Sequence, residues 1–267
     1  MHYIWQQSPV GLLPQAQVCD IHTSMTQESM SKTVLITGAA TRIGRVLAKG
    51  LADDGWRVVI HYNSSEVAAS ELAGEIGNAA IIQADLTDAK SVETLIDHAA
   101  NAIGTPLTAL INNASTYVPD TAADFDQNAL DNHLSVNLKA PLILSKKFAQ
   151  GLPDNAKGCI INMIDQRVLR PAPDFFTYGV SKSALYAATK TTAQTFAPNI
   201  RVNAVGPGPT LQSIHQTDAD FTKEKAQTLL GEGSPPETIV DAVRYLLSAT
   251  AVTGQMIAVD GGQHLRF

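Results

Sequence analysis

From Thr33 onward, apolar runs of strand length alternate with stretches whose apolar residues recur at helical spacing. That alternation is the pattern of successive βαβ units, and it commits a chain to a parallel sheet covered by helices on both faces. Seven runs read as strands, at residues 34–37, 57–62, 80–84, 107–111, 159–163, 200–205 and 256–259. Helices are expected to begin near Arg42, Glu66, Asp88, Asp124, Tyr178 and Glu237, the last introduced by Pro235-Pro236, where proline suits a first turn. No internal repeat or linker interrupts the pattern. Residues 32–267 are therefore expected to form a single α/β domain, a doubly wound Rossmann-type sheet.

Composition narrows what such a domain does. An apolar fraction of 45% and a charged fraction of 16% are ordinary for a water-soluble domain, and no apolar run reaches the length of a membrane span. The formal charge of -6, without Lys/Arg clusters, argues against a nucleic-acid partner. Cys19 and Cys159 stand far apart, without the Cys/His spacing of a zinc site or a disulfide framework, so no metal is expected and both read as structural or incidental thiols. Residues 1–31 show no sustained period and lack the basic start and apolar core of a secretory signal. They are expected to be a flexible extension or to precede a start at Met25 or Met30, and the protein is expected to be cytoplasmic.

Thr37-Gly38-Ala39-Ala40-Thr41-Arg42-Ile43-Gly44 follows the first strand directly and opens the first helix. Glycine there permits a tight turn and close approach of backbone to a pyrophosphate, whose charge is favoured by free N–H groups at a helix start. A plain tight turn would look the same. Nucleotide choice is usually read after the second strand, where a carboxylate would bind a ribose 2'-hydroxyl and repel a 2'-phosphate. Here that stretch is His61-Tyr62-Asn63-Ser64-Ser65, with no acid before Glu66. Its hydroxyl and amide groups suit a 2'-phosphate, so NADP is expected over NAD. Asp85, followed by Leu86 after the third strand, reads either as an adenine contact or as a helix cap.

Tyr178 and Lys182 lie four apart at the start of an expected helix, on one face. A phenol, with a pKa of about 10, exchanges protons near neutrality more readily beside an ammonium that stabilises its phenolate. With the glycine turn, Asn112-Asn113-Ala114 after the fourth strand, Asn137 inside a helix and Pro207-Gly208 after the sixth strand, the chain resembles the short-chain dehydrogenase/reductase family over residues 33–262. The resemblance implies that Tyr178 is the general acid/base, that Lys182 holds the nicotinamide ribose and lowers the tyrosine pKa, and that Asn137 supports a proton-relay water. It assigns Gly38, Arg42, Ile43, Gly44, Asn113, Ala114, Ser115, Pro207 and Gly208 to the cofactor. The closing Val252-Thr253-Gly254-Gln255 and Val259-Asp260-Gly261-Gly262 look like the family's last strand, which implies subunit contacts and often a homotetramer.

Three departures from the family pattern point to one of its branches. Asp165 stands thirteen positions before Tyr178, where a serine normally orients a carbonyl; Arg42 replaces the middle glycine of the turn; and Asn-Asn-Ala is followed by Ser115 rather than glycine. Together these look like the pteridine reductases, which implies a dihydropterin, dihydromonapterin or dihydrofolate type of substrate. A pterin offers a flat π-face, ring nitrogens and an amino group, and its reduction puts a proton on nitrogen. A carboxyl at Asp165 suits that edge better than a hydroxyl. Arg42 offers a planar donor fork, and Tyr117 a ring to stack opposite the nicotinamide. Arg42, Ser115, Tyr117, Asp165 and Tyr178 are thus the expected substrate contacts. Each residue also has a plainer reading: Arg42 as a phosphate partner only, Tyr117 as a surface aromatic, Asp165 as the mark of a differently tuned carbonyl reductase. A third reading, a protein that binds NADP as a redox sensor, would predict an impaired Tyr/Lys pair, and this pair is intact. Residues 206–233 break the sheet pattern after Gly206-Pro207-Gly208-Pro209 and are expected to form a substrate lid.

Overall fold

The computed structural model describes residues 32–266. The expected extension and Cys19 lie outside that range. Seven strands form one parallel sheet in the order β3-β2-β1-β4-β5-β6-β7, with β1 at Thr33–Ile36, β2 at Arg57–Tyr62, β3 at Ala79–Gln83, β4 at Ala109–Asn112, β5 at Gly158–Met163, β6 at Ile200–Pro207 and β7 at Met256–Val259. The order reverses between β1 and β4, and in open α/β sheets the crevice at the carboxyl end of such a reversal is where ligands bind.

The continuous apolar runs are explained by burial on both faces. In β1, Val34 and Ile36 pack with Leu47 and Leu51 of α1 (Arg42–Asp53) and Val243 of α8 (Pro236–Ser248). Leu35 between them points the other way, to Leu95 of α3 (Ala89–Ile103) and Phe148 of α5 (Ala140–Gly151). The same alternation repeats in Val58-Val59-Ile60 and Ala109-Leu110-Ile111. Each fully buried aliphatic side chain of this kind contributes about 1.5–3 kcal/mol. Cys159 is buried, with its thiol pushed up to about 11 by burial, as expected of a structural cysteine.

The remaining helices are α2 (Glu66–Ile76), α4 (Gln127–Leu134), α6 (Phe176–Phe196) and α7 (Asp218–Ala226). Asp88 and Asp126 cap α3 and α4 by accepting from backbone N–H groups of the first turn. Two helices were not legible as separate elements. A π-helical turn, Ser135–Lys139, joins α4 to α5. The stretch after β6 contains α7, opened by a capping box between Thr217 and Asp220; its residues are mostly charged, so it lacks the apolar stripe that reveals a helix.

Candidate active site

Loops at the carboxyl ends of β1, β4, β5 and β6 converge around two adjoining hollows. The first, about 350 Å³, is bounded by Gly38, Arg42, Ile43 and Gly44 on the β1 side, by His61, Asn63 and Leu86, and by Asn113, Ala114 and Ser115 after β4. Its shape depends on two glycines. Gly38 has φ +62, and a Cβ there would meet the Ala114 Cα at 3.0 Å; a Cβ on Gly44 would lie 2.2 Å from the Gly38 carbonyl oxygen. Thr37 stitches the turn to the β4 loop: its Oγ1 accepts from the N–H groups of Asn113 at 2.9 Å and Ala114 at 3.0 Å. The Asn113 side chain donates to the carbonyls of Thr37 at 2.8 Å and Gly38 at 3.1 Å. Asn113 is thus occupied in building the hollow.

Residues expected at the nucleotide-selecting turn divide. Asn63 reaches the hollow, whereas Tyr62 is buried in the core, Ser64 is exposed and Ser65 stands at the start of α2. The imidazole of His61 is fully engaged within the protein: Nδ1 accepts from the Gly38 N–H at 3.0 Å, and Nε2 contacts the Ala84 carbonyl at 3.1 Å. That pairing requires the proton on Nε2. Burial holds the imidazole down to about 4, so His61 is neutral and braces the turn rather than offering a donor to a phosphate. Asp85 Oδ1 accepts from the backbone N–H and the hydroxyl of Thr87, both at 2.8 Å, so this carboxylate closes a local turn.

The second hollow, about 450 Å³, contains the expected chemical groups. The Tyr178 hydroxyl donates to Asp165 Oδ2 at 2.8 Å, while Asp165 Oδ1 accepts from the Arg167 N–H at 2.8 Å. The Lys182 ammonium donates to the Met163 carbonyl at 2.8 Å and lies 5.8 Å from the centre of the Tyr178 ring. Tyr178 and Lys182 are almost wholly buried, at 6% and 2% exposure. Burial raises the Asp165 carboxyl and lowers the Lys182 ammonium to about 8. The expected depression of the tyrosine is not found: burial, followed by the charge of Asp165 and the hydrogen bond to it, raises the phenol well above 10. In this arrangement Tyr178 is a neutral donor.

Asn137 is buried in the π-helical turn. Its amide donates to the Thr116 carbonyl at 3.0 Å and to the Ser181 hydroxyl at 3.1 Å, and its Oδ1 accepts from the Thr116 N–H at 2.9 Å. The side chain clamps the β4 loop to α6.

Tyr117 lines the second hollow, as expected. One of its faces is backed by Phe175, stacked at 4.0 Å and 10°, and its ring meets Tyr178 edge-on at 4.8 Å. Ser115 borders both hollows, and Pro207 and Gly208 border the second. Arg42 borders both as well, with φ +53, the left-handed backbone that glycine supplies elsewhere in such turns. Its guanidinium donates to the carbonyls of Gln212 at 2.9 Å and Leu211 at 3.2 Å. The segment after β6 therefore walls the cavity.

These loops and their co-linear motifs have counterparts in known proteins. A family model described as enoyl-(acyl carrier protein) reductase matches residues 38–264. The chain belongs to the short-chain dehydrogenase/reductase family. Within it, the chain is 31% identical to the uncharacterized oxidoreductase YmfI of Bacillus subtilis (strain 168), over 88% of this chain and 100% of that protein. It is 29% identical to an NADPH-dependent aldehyde reductase-like chloroplastic protein of Arabidopsis thaliana, over 90% and 98%. Among solved structures, FolM alternative dihydrofolate reductase 1 from Brucella canis, complexed with NADP, is similar at 41% identity and TM-score 0.86, over 88% of this chain and 95% of that one. The Brucella suis protein of the same name, also with NADP, matches at 41% and 0.86, over 88% and 96%.

Sequence reasoning missed several cavity residues of this reductase fold. Gln166, Arg167, His215, Glu224 and Gln263 all border the second hollow, and Phe175 backs Tyr117. Glu224 joins three segments, accepting from Gln216 at 2.6 Å and Gln263 at 3.1 Å. None carries a motif; they meet because the loops after β5, β6 and β7 end on one side of the sheet.

Proposed function

We propose that this protein is an NADPH-dependent reductase of a dihydropteridine. The observation that carries the reading is the 2.8 Å hydrogen bond from Tyr178 to Asp165 at the floor of the second hollow. A carbonyl reductase needs two hydroxyl donors on one oxygen, whereas a carboxyl coupled to a phenol can both accept from a ring N–H and pass a proton to a ring nitrogen.

The residues around the first hollow suit the cofactor. Thr116 Oγ1 is buried on its wall without a partner among the described residues, a polar atom that a bound ribose or amide would satisfy, and Gly38 and Gly44 allow backbone to approach a pyrophosphate. Gly38, Arg42, Ile43, Gly44, Asn63, Leu86, Ala114 and Ser115 would hold it there, with Lys182, Pro207 and Gly208 at the junction with the second hollow. The NADP complexes of the two similar Brucella reductases support this choice. Bound NADPH supplies the hydride.

The protein's own task is the proton. A C=N bond that gains a hydride on carbon needs a proton on nitrogen, and Tyr178 is the donor. A free phenolate in this buried site is costly, and the Lys182 ammonium offsets part of that cost. The ammonium stabilises the negative charge, and the Asp165 carboxyl, raised by burial, accepts from the phenol at 2.8 Å and fixes its oxygen in place. Tyr117, held flat by Phe175, offers its other face to a planar ring.

The relationship to an aldehyde reductase-like protein favours a second reading, reduction of a carbonyl compound, which Asp165 opposes. NADPH oxidation measured against dihydrobiopterin, dihydromonapterin, dihydrofolate and a set of aldehydes and ketones decides between them. Turnover of carbonyls with no pteridine reduced would overturn the proposal. Exposed Leu142 and Val180 on α5 and α6, with Tyr245 on α8, support the expected homotetramer. Light scattering should then give four times the 28.4 kDa chain mass.

A further inference from the structure

His133 and Asn137 stand four apart in sequence, on one face of the run from α4 into the π-helical turn. They hold the backbone on the two sides of Tyr117: Asn137 pairs with both the N–H and the carbonyl of Thr116, and the His133 Nε2 accepts from the Val118 N–H at 3.3 Å. The other nitrogen, Nδ1, lies 2.8 Å from the Thr177 hydroxyl. Thr177 donates that hydroxyl to Asp120 Oδ2 and its backbone N–H to Asp120 Oδ1 at 3.1 Å. A hydroxyl has one hydrogen, so Thr177 accepts from His133, and the imidazole carries its proton on Nδ1. His133 and Thr177 are both fully buried, and the imidazole lies edge-on to the Tyr178 ring at 6.2 Å. A neutral imidazole in this tautomer satisfies every group around it. Protonation would set Nε2–H against the Val118 N–H, donor to donor.

We infer that His133 is a positioning residue for the aromatic wall of the cavity, its neutral imidazole tying the Tyr117 loop to the start of α6 so that the Tyr117 ring keeps its angle to Tyr178 and to a planar substrate. This rests on the reading of Tyr117 as a stacking platform, whichever substrate is reduced. Two clamps flank one residue, so losing the Val118 clamp lets the backbone pivot about Thr116 and carries the ring with it. The charged and titratable groups that bear on the imidazole are Asp120 on the β4 loop and Lys182 and Tyr178 on α6. Burial and Lys182 lower His133 below the usual imidazole range, and Asp120 opposes them.

The test is a double-mutant cycle of His133→Phe with Tyr117→Leu, alongside His133→Gln, which keeps an acceptor and does not titrate. Kinetics use dihydrobiopterin, or the best carbonyl compound if no pteridine is reduced, so loss of the pteridine reading leaves this inference testable. His133→Phe should raise the substrate KM about fivefold, as for one lost hydrogen bond, with kcat and NADPH affinity within about twofold of the parent. In the Tyr117→Leu background the same change should have little further effect on KM. His133→Gln should restore most of the parental KM at pH 7.5. It should also flatten the rise in KM that the parent shows on the acid side; Asp165 and His215 are common to both proteins, so the difference between the two profiles belongs to His133. Nitrogen-15 NMR of the parent at pH 7.5 should show the Nδ1–H tautomer. A KM effect of equal size with and without Tyr117, a loss of kcat at unchanged KM, or a proton on Nε2 would overturn the inference. Should His133→Phe melt too low to assay, the acid profile of His133→Gln and the tautomer decide alone.

Discussion

The imidazole of His61, at the end of β2, accepts the N–H of Gly38, in the turn after β1, at 3.0 Å. One buried ring thereby fixes the phosphate-side turn to the neighbouring strand, and it does so only while neutral. In the unfolded chain the imidazole binds a proton below about 6.5, whereas in the folded protein it resists until about 4. Stability is therefore unaffected by this group above pH 6.5 and falls as the pH drops through that window, by about 3 kcal/mol in all. His133, also lowered by burial, acts in the same direction. Urea unfolding at pH 7 and pH 5 should show the loss, and His61→Gln, which does not titrate, should reduce it. Equal acid sensitivity in parent and variant would contradict the buried neutral imidazole.

Tyr178→Phe keeps the ring packed against Tyr117 and removes the proton. Turnover should fall 10²- to 10⁴-fold, about 3–5 kcal/mol of barrier, with cofactor affinity retained. Because Lys182 is lowered to about 8, its charge is lost as pH rises through that value, and kcat/KM should decline on the alkaline side from about pH 8. A pH–rate profile flat to pH 10 would argue against an essential ammonium.

Asp165→Ser converts the floor of the cavity to the arrangement of a carbonyl reductase. Efficiency on dihydropteridines should drop roughly 10²-fold, with only small gains on ketones and an unchanged fold. Should the variant instead gain strong ketone turnover while neither protein uses a pteridine, Asp165 is a tolerated replacement for a hydroxyl.

Arg42 holds a left-handed backbone while its side chain reaches Leu211 and Gln212. Arg42→Gly relieves about 1 kcal/mol of backbone strain and removes two lid contacts. Its melting temperature should stay near the parent's while the 208–216 segment becomes more sensitive to limited proteolysis and the KM values rise. Unchanged protection would mean that the guanidinium does not hold the lid.

Ser64 is exposed at the end of β2, next to Asn63 on the cofactor hollow. A carboxylate placed there would repel a 2'-phosphate, so Ser64→Asp should erase or reverse a preference for NADPH over NADH in kcat/KM. Equal use of both cofactors by the parent would remove the basis for the preference.

Strands, sheet class, glycine turn and the Tyr178/Lys182 pair were legible in the sequence because each depends on local pattern: apolar runs buried on both faces, glycine where backbone must turn, and two residues one helical turn apart. Asp165 was legible as a departure from a known spacing. What lies between segments was not. That His61 spends both nitrogens on Gly38 and Ala84, that Asn137 clamps Thr116 rather than facing the cavity, and that Glu224 ties Gln216 to Gln263 follow from contacts between residues far apart in the chain. The tyrosine shows the limit most clearly. Its spacing from Lys182 suggested a depressed phenol, but burial and the carboxylate of Asp165 raise it. Spacing along a helix determines which groups meet; how deeply they are buried, and which charge stands nearest, is decided only when the sheet closes around them.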